Sequence, residues 1–261
     1  MSKIGIQMYT LRETMKTKEG LEETLRRVAE IGYQNVQITL PGFVSSEEGA
    51  AMLAHYGLRA DSAMAAFDGN IRERVPEAVK LARLLGTGVV RTTSIPHELG
   101  QSEAGYHEFA RQMNEVAAEF AKEGLVFMYH FHAFEYVNFP TCTGMDILMK
   151  ETDPACVTFQ PDVFWLTAAG LEPSQALYGF KGRAKFMHLK EYASEEPQKV
   201  IEGVPRISAP VGTGNLNWPG ILKAAADIGI EHYVVEDDMG ILEPFESART
   251  SFENLRKMGV D

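Results

Sequence analysis

Two rhythms alternate along this chain. Short apolar runs rich in β-branched and aromatic residues read as strands, and each is followed by a stretch in which leucine, valine and isoleucine recur at helical spacing. The short runs are Lys3 to Tyr9, Tyr33 to Leu40, Leu58 to Phe67, Thr87 to Thr93, the run opening at Leu125, Cys156 to Pro161, Ala184 to Lys190, and 232–236. The helical stretches are Gly20 to Ile31, Ser45 to Tyr56, Ile71 to Leu85, 102–123, Gly144 to Glu151, Pro173 to Phe180, 218–228 and 243–258. Gly32, Gly57, Gly86 and Gly124 close the first four helices, and Ser45 with Glu47 and Glu48 opens the second. Residues 191–215, with Gly203, Pro205, Pro210, Gly212 and Gly214, read as a long loop over the site.

Strict alternation of strand and helix means a parallel sheet with helices outside, and eight such units in 261 residues predict one (β/α)8 TIM barrel domain over 1–261. The rival is a doubly wound open sheet. Against it, the first strand-to-helix connection, QMYTLRETMKTKEG, carries no glycine-rich phosphate loop.

Composition is that of an ordinary soluble globular protein, with 45% hydrophobic and 23% charged residues. A formal charge of −11 argues against a nucleic-acid partner, which would call for a positive face. No apolar run approaches a membrane span, and MSKIGIQMYTLRE lacks the features of a signal peptide, so a cytoplasmic location without a membrane partner is expected. Cys142 and Cys156 match no thiolate metal motif.

Chemistry collects at the ends of the later strands. In LVFMYHFHAFEY, alternation puts Met128, His130 and His132 on one face and Phe127, Tyr129 and Phe131 on the other, with Glu135 close behind. The sixth strand ends at Asp162, the seventh at His188 and Lys190, and the eighth at Glu236, followed by Asp237 and Asp238. A TIM barrel builds its active site at these C-terminal ends, so four consecutive strands deliver carboxylates and imidazoles to one side of the mouth. That set describes a divalent-metal site with positions open for substrate. Singly, each residue has a plainer reading: Asp162 as a helix cap, Glu236 as a solvated carboxylate, Lys190 as a surface partner of Glu191, Trp165 as packing under the loop.

The segments YHFHAFEY, FQPDVFW, RAKFMHLKE, PVGTGNLNW and YVVEDD, in this order, resemble the sugar phosphate isomerase/epimerase family of xylose-isomerase-like TIM barrels, in the branch whose motif reads YHNHxxEF. The resemblance implies one Mn²⁺, Mg²⁺, Co²⁺ or Zn²⁺ ion held by an acidic residue, an aspartate, a histidine and a glutamate. The last three map onto Asp162, His188 and Glu236. For the first, Glu135 is preferred over His130 because a third carboxylate suits hard ions, and His130 remains the alternative. Phe131, Met64 and Asn217 depart from the family pattern, in which asparagine, histidine and aspartate are usual.

The implied activity is isomerisation or epimerisation of a ketose or keto-sugar through an enediolate. Glu236 or His132 would act as base and Lys190 would stabilise the oxyanion, with Trp165, Gln7 and Gln37 as substrate contacts. The alternative is a lyase or dehydratase acting on a keto-sugar, inosose or 3-keto-glycoside, in which His130 and His132 share base and acid roles. A non-catalytic sugar- or metal-binding barrel is a third reading. A nuclease of the apurinic-site type is disfavoured, because Trp165 stands where a second-site histidine is expected. Relatives are often homo-oligomers, but no heptad or apolar stripe here specifies an interface.

Overall fold

A computed structural model describes residues 3–65, 71–194, 207–240 and 242–261. Among these, eight parallel strands form the wall of a barrel: β1 Ile4–Gln7, β2 Asn35–Gln37, β3 in two pieces, Arg59–Ala60 and Ala63–Met64, β4 Val89–Thr93, β5 Val126–His130, β6 Val157–Gln160, β7 Phe186–Leu189 and β8 His232–Val235. The helices outside are α1 Lys18–Ile31, α2 Ser46–His55, α3 Ile71–Leu85, α4 Glu103–Lys122, α5 Gly144–Glu151, α6 Val163–Ala168, α7 Pro173–Ala176, α8 Trp218–Ile228 and α9 Pro244–Lys257. Strand pairing runs from β7 through β8, β1 and β2 to β3, and from β3 through β4 and β5 to β6. The barrel closes between β6 and β7, where Phe159 N donates to Arg183 O and His188 N to Pro161 O. Phe67 and residues 195–206 of the long loop lie outside the described residues.

Local chemistry sets the element ends. Thr17 caps α1, which stops at Gly32 with φ of 119°, a left-handed conformation that glycine adopts without strain. Ser45 with Glu48, and Thr143 with Asp146, form reciprocal capping boxes on α2 and α5. The sequence pattern had left 163–172 without an element, and the structure places α6 there, with Asp162 as its N-cap. The stretch Pro173 to Phe180 divides into α7 and a 3₁₀ turn, Leu177–Phe180.

Alternation on β5 sorts core from site. Phe127 and Tyr129 face outward and pack against Phe120 and Phe109 of α4, with ring centroids 5.9 and 5.3 Å apart. His130 points the other way, toward the barrel axis, in register with Thr93 of β4 and Gln160 of β6. Glu191 anchors the loop after β7: its carboxylate accepts hydrogen bonds from Gly212 N at 2.9 Å, Leu216 N at 3.1 Å and Trp218 Nε1 at 2.5 Å. This fixes the segment leading into α8 against the barrel top. No helix of the described residues is long and apolar enough to cross a membrane.

Candidate metal centre

The ends of β5, β6, β7 and β8 bring His130, Asp162, His188 and Glu236 together, with one ligand-type atom from each within 4.8 Å of the others. All four are buried. His188 is the hub. Its Nδ1 lies 3.2 Å from Glu236 Oε2 and 3.5 Å from Asp162 Oδ2, and its Nε2 is 2.9 Å from Gln37 Oε1, which orients the ring from behind. The His130 ring stands 4.3 Å from that of His188, centroid to centroid.

Asp162 divides its work. Its Oδ1 caps α6 by accepting from Phe164 N at 2.8 Å and Trp165 N at 3.3 Å, while its Oδ2 is buried and accepts no hydrogen bond. Burial raises the Asp162 carboxyl. Burial also works against a charged His188, but the Glu236 and Asp162 carboxylates outweigh it and lift the imidazole to about 9. Glu236 is the converse: burial opposes its charge, and the His188 and Lys190 cations hold it near 2. Two carboxylates thus draw positive charge into a buried site, and two imidazoles complete a donor set that suits a divalent ion.

Above this group opens a cleft of about 410 Å³. His132 and Trp165 line it, their rings 5.2 Å apart, and His132 also stacks on Phe134. Burial lowers His132 to about 4, which keeps it a neutral imidazole, and its buried Nδ1 has no hydrogen-bond partner. Lys190 is only 1% exposed. Its Nζ is ion-paired with Asp238, lies 3.8 Å from Glu236 Oε2, and sits 5.0 Å from the Trp165 ring centroid. Burial disfavours the ammonium, yet the surrounding carboxylates, Glu236 foremost, raise its pKa.

Comparison with known proteins agrees with this architecture. Residues 25–258 match the family model described as a xylose isomerase-like TIM barrel. The chain belongs to that family. Among relatives of this xylose isomerase-like barrel is an inosose dehydratase from Geobacillus thermodenitrificans, 28% identical over 156 residues, which are 56% of this chain and 52% of the relative. The chain thus spans about half the length of the dehydratase relatives it matches. A sugar phosphate isomerase/epimerase from Parabacteroides distasonis has the same fold, with a TM-score of 0.79 and 22% identity over 100% of this chain and 96% of that one. A xylose isomerase-like barrel from Mycobacterium smegmatis, solved with magnesium, overlays with a TM-score of 0.74 and 17% identity, covering 98% of this chain and 96% of that one.

Within the xylose isomerase-like barrel, the residues singled out from sequence divide into four sets. His130, Asp162, His188 and Glu236 converge, and His132, Lys190, Trp165 and Gln7 line the cleft with His130, His188 and Glu236. Gln37 lies beneath, against His188. Glu135, the preferred first ligand, stands outside the converging group: it sits in a 3₁₀ turn, Phe134–Tyr136, where Tyr129 Oη donates to its Oε1 and His132 N to its Oε2 at 2.8 Å. Its place in the group is taken by His130. Lys190 is not a surface partner of Glu191, whose carboxylate is turned to the loop amides instead.

Sequence reasoning passed over Arg91, Thr93 and Ser94, which also line the cleft. A signal was there: Arg91 interrupts the β-branched run VVRTT in mid-strand. Ser94 has φ of 64°, in the left-handed region that non-glycine residues seldom adopt and that recurs where side chains are placed for function.

Glu135 makes a separate prediction about stability. Burial raises its carboxyl from 4.5 to about 7. A raised pKa means the folded state holds the proton more tightly than the unfolded chain. The associated stability is complete below pH 4.5 and is lost as pH rises through about 7. Glu135→Gln removes the titration, so its stability relative to wild type is expected to improve between pH 5 and 8 by on the order of 3 kcal/mol. Thermal unfolding of both proteins at the two pH values tests this, and parallel pH dependences would refute it.

Proposed function

We propose that this protein is a divalent-metal-dependent lyase that dehydrates a polyhydroxylated ketone. The observation that carries the reading is the asymmetry of the cleft. It offers one neutral base, His132, and one buried ammonium, Lys190, both against Trp165. Elimination calls for that pair: a base for the proton beside the carbonyl and an acid for the departing hydroxyl. The inosose dehydratase relatives support the same direction.

His130, Asp162, His188 and Glu236 would hold the ion. A set with two imidazoles favours Mn²⁺, Co²⁺ or Zn²⁺ over Mg²⁺. When bound, such an ion polarises a carbonyl and its neighbouring hydroxyl, lowering the pKa of the adjacent C–H. His132 takes that proton, its backbone held in place through Glu135. Lys190 gives a proton to the β-hydroxyl as the C–O bond breaks and its electron pair leaves with water. Trp165 orients both groups and closes one wall against solvent.

The second reading is the isomerase or epimerase, supported by the fold likeness to the Parabacteroides protein. It has the weaker chemical case here. Epimerisation by two bases calls for a free base on each side of the ring, and Asp238, a further carboxylate of the cleft, is engaged by Lys190. The test is incubation of metal-loaded protein with inososes, keto-hexoses and polyhydroxylated keto acids in D2O, followed by NMR and mass spectrometry. A metal-dependent product lighter by one water is expected. An isomer or epimer of unchanged mass would move the assignment to the second reading, and neither product nor proton exchange would leave only a binding barrel.

A further inference from the structure

The charge of Arg91 is not accounted for by folding or by the metal group. Arg91 lies on β4, which faces β8 across the closed barrel. Its side chain is 2% exposed and lines the same cleft as His132 and Lys190. Burial lowers its pKa, while Asp61 and Glu236 act in the other direction.

Its hydrogen bonding is confined to one end. Arg91 Nε donates to Ser62 Oγ at 3.4 Å, and the Ser62 hydroxyl donates to Asp61 Oδ1 at 2.9 Å. That chain holds the near edge of the guanidinium. Its two Nη groups make no hydrogen bond or ion pair among the described residues. A buried guanidinium with a free fork is costly unless a planar acceptor meets it.

Charge accounting says what that acceptor is. With a dication in the metal group, the Asp162 and Glu236 carboxylates neutralise it, and Lys190 is matched by Asp238. Arg91 is left as a positive charge facing the cleft, and Asp61, the acid behind it, is reached only through the Ser62 hydroxyl. A phosphate would call for several convergent donors, commonly glycine amides, and among the described residues no glycine lines this cleft.

From this geometry we infer that Arg91 is a specificity-determining residue that takes a carboxylate of the substrate in its Nη fork, so the substrate is a polyhydroxylated keto acid. The inference deepens the lyase reading: the reacting carbons lie at the metal group and the acid group at the opposite wall.

The test uses a matched pair of probes, D-glucuronate and D-glucose, which differ at one carbon. Binding to the metal-loaded protein is followed by calorimetry and by Trp165 fluorescence, with metal content measured on every sample. Wild type is expected to bind the acid at least about 10-fold more tightly than the neutral sugar. Arg91→Met is expected to weaken the acid by about 30-fold and to change the neutral sugar by less than about twofold, with the ion retained.

Should Arg91→Met fail to fold, Arg91→Lys keeps the charge but not the fork and is expected to lose about fivefold for the acid alone. A wild type that does not prefer the acid, including one that binds neither sugar, overturns the inference. So does a preference that survives in Arg91→Met, or one that disappears on metal removal in wild type. Metal-dependent proton exchange from a neutral keto-sugar, without any preference for acids, would leave the lyase reading standing and remove only this assignment.

Discussion

Asp162→Asn is expected to remain folded, fail to take up the divalent ion proposed for this site, and lose at least about 10³ of the proposed turnover. The expectation follows from the two ends of one carboxylate. Oδ1 caps α6 through Phe164 N and Trp165 N, a task that an asparagine oxygen performs equally well. Oδ2 faces His188 Nδ1 and has no hydrogen bond, so its negative charge has no structural partner other than a cation. Asparagine therefore keeps the cap and deletes the charge. Asp162→Ala deletes both and is expected to cost a further ~1 kcal/mol in stability. Elemental analysis beside thermal unfolding separates the two effects. A full complement of metal in Asp162→Asn would refute the assignment of this site.

Lys190→Met is expected to retain the ion and lose about 10²–10³ of the overall turnover. In the proposed roles, Lys190 assists the departing hydroxyl while His132 removes the carbon-bound proton. The two variants should then fail at different steps. Lys190→Met should still exchange the substrate's α-proton in D2O without eliminating water, whereas His132→Gln should do neither. Methionine keeps much of the apolar stem against Phe164 and Trp165, with which the Lys190 ammonium sits 4.9 and 5.0 Å from the ring centroids. Loss of the charge does strand Asp238 and relax Glu236, so metal content must be measured alongside. Loss of exchange in Lys190→Met with metal retained would make Lys190 part of proton abstraction and would end the division of labour drawn here.

Much of this site was legible because two facts about strands are local. Side chains alternate, and a β/α unit ends its strand at the barrel mouth. These placed His130 and His132 on the inner face and put Asp162, His188 and Glu236 at adjacent strand ends. The plain reading of Asp162 as a helix cap also holds, since one carboxylate can cap with one oxygen and face the site with the other. Arg91 was missed for a related reason: alternation puts it on one face with Thr93, but nothing in VVRTT says whether that face is the lumen or the helix layer.

The sequence by itself determined the eight β/α units, the barrel they imply, and the collection of ionisable groups at its later strand ends, because periodicity and chain order suffice for these. Tertiary structure decided what no period reaches. Glu135 lies beyond the strand in a 3₁₀ turn, where the side-chain direction follows the turn and its partners, Tyr129 and His132, rather than an alternation. Lys190 chose Asp238 and Glu236 over its neighbour Glu191 because the loop amides claim Glu191 first. Which buried charges meet, and which is left facing the cleft, depends on strands far apart in sequence that only barrel closure brings together.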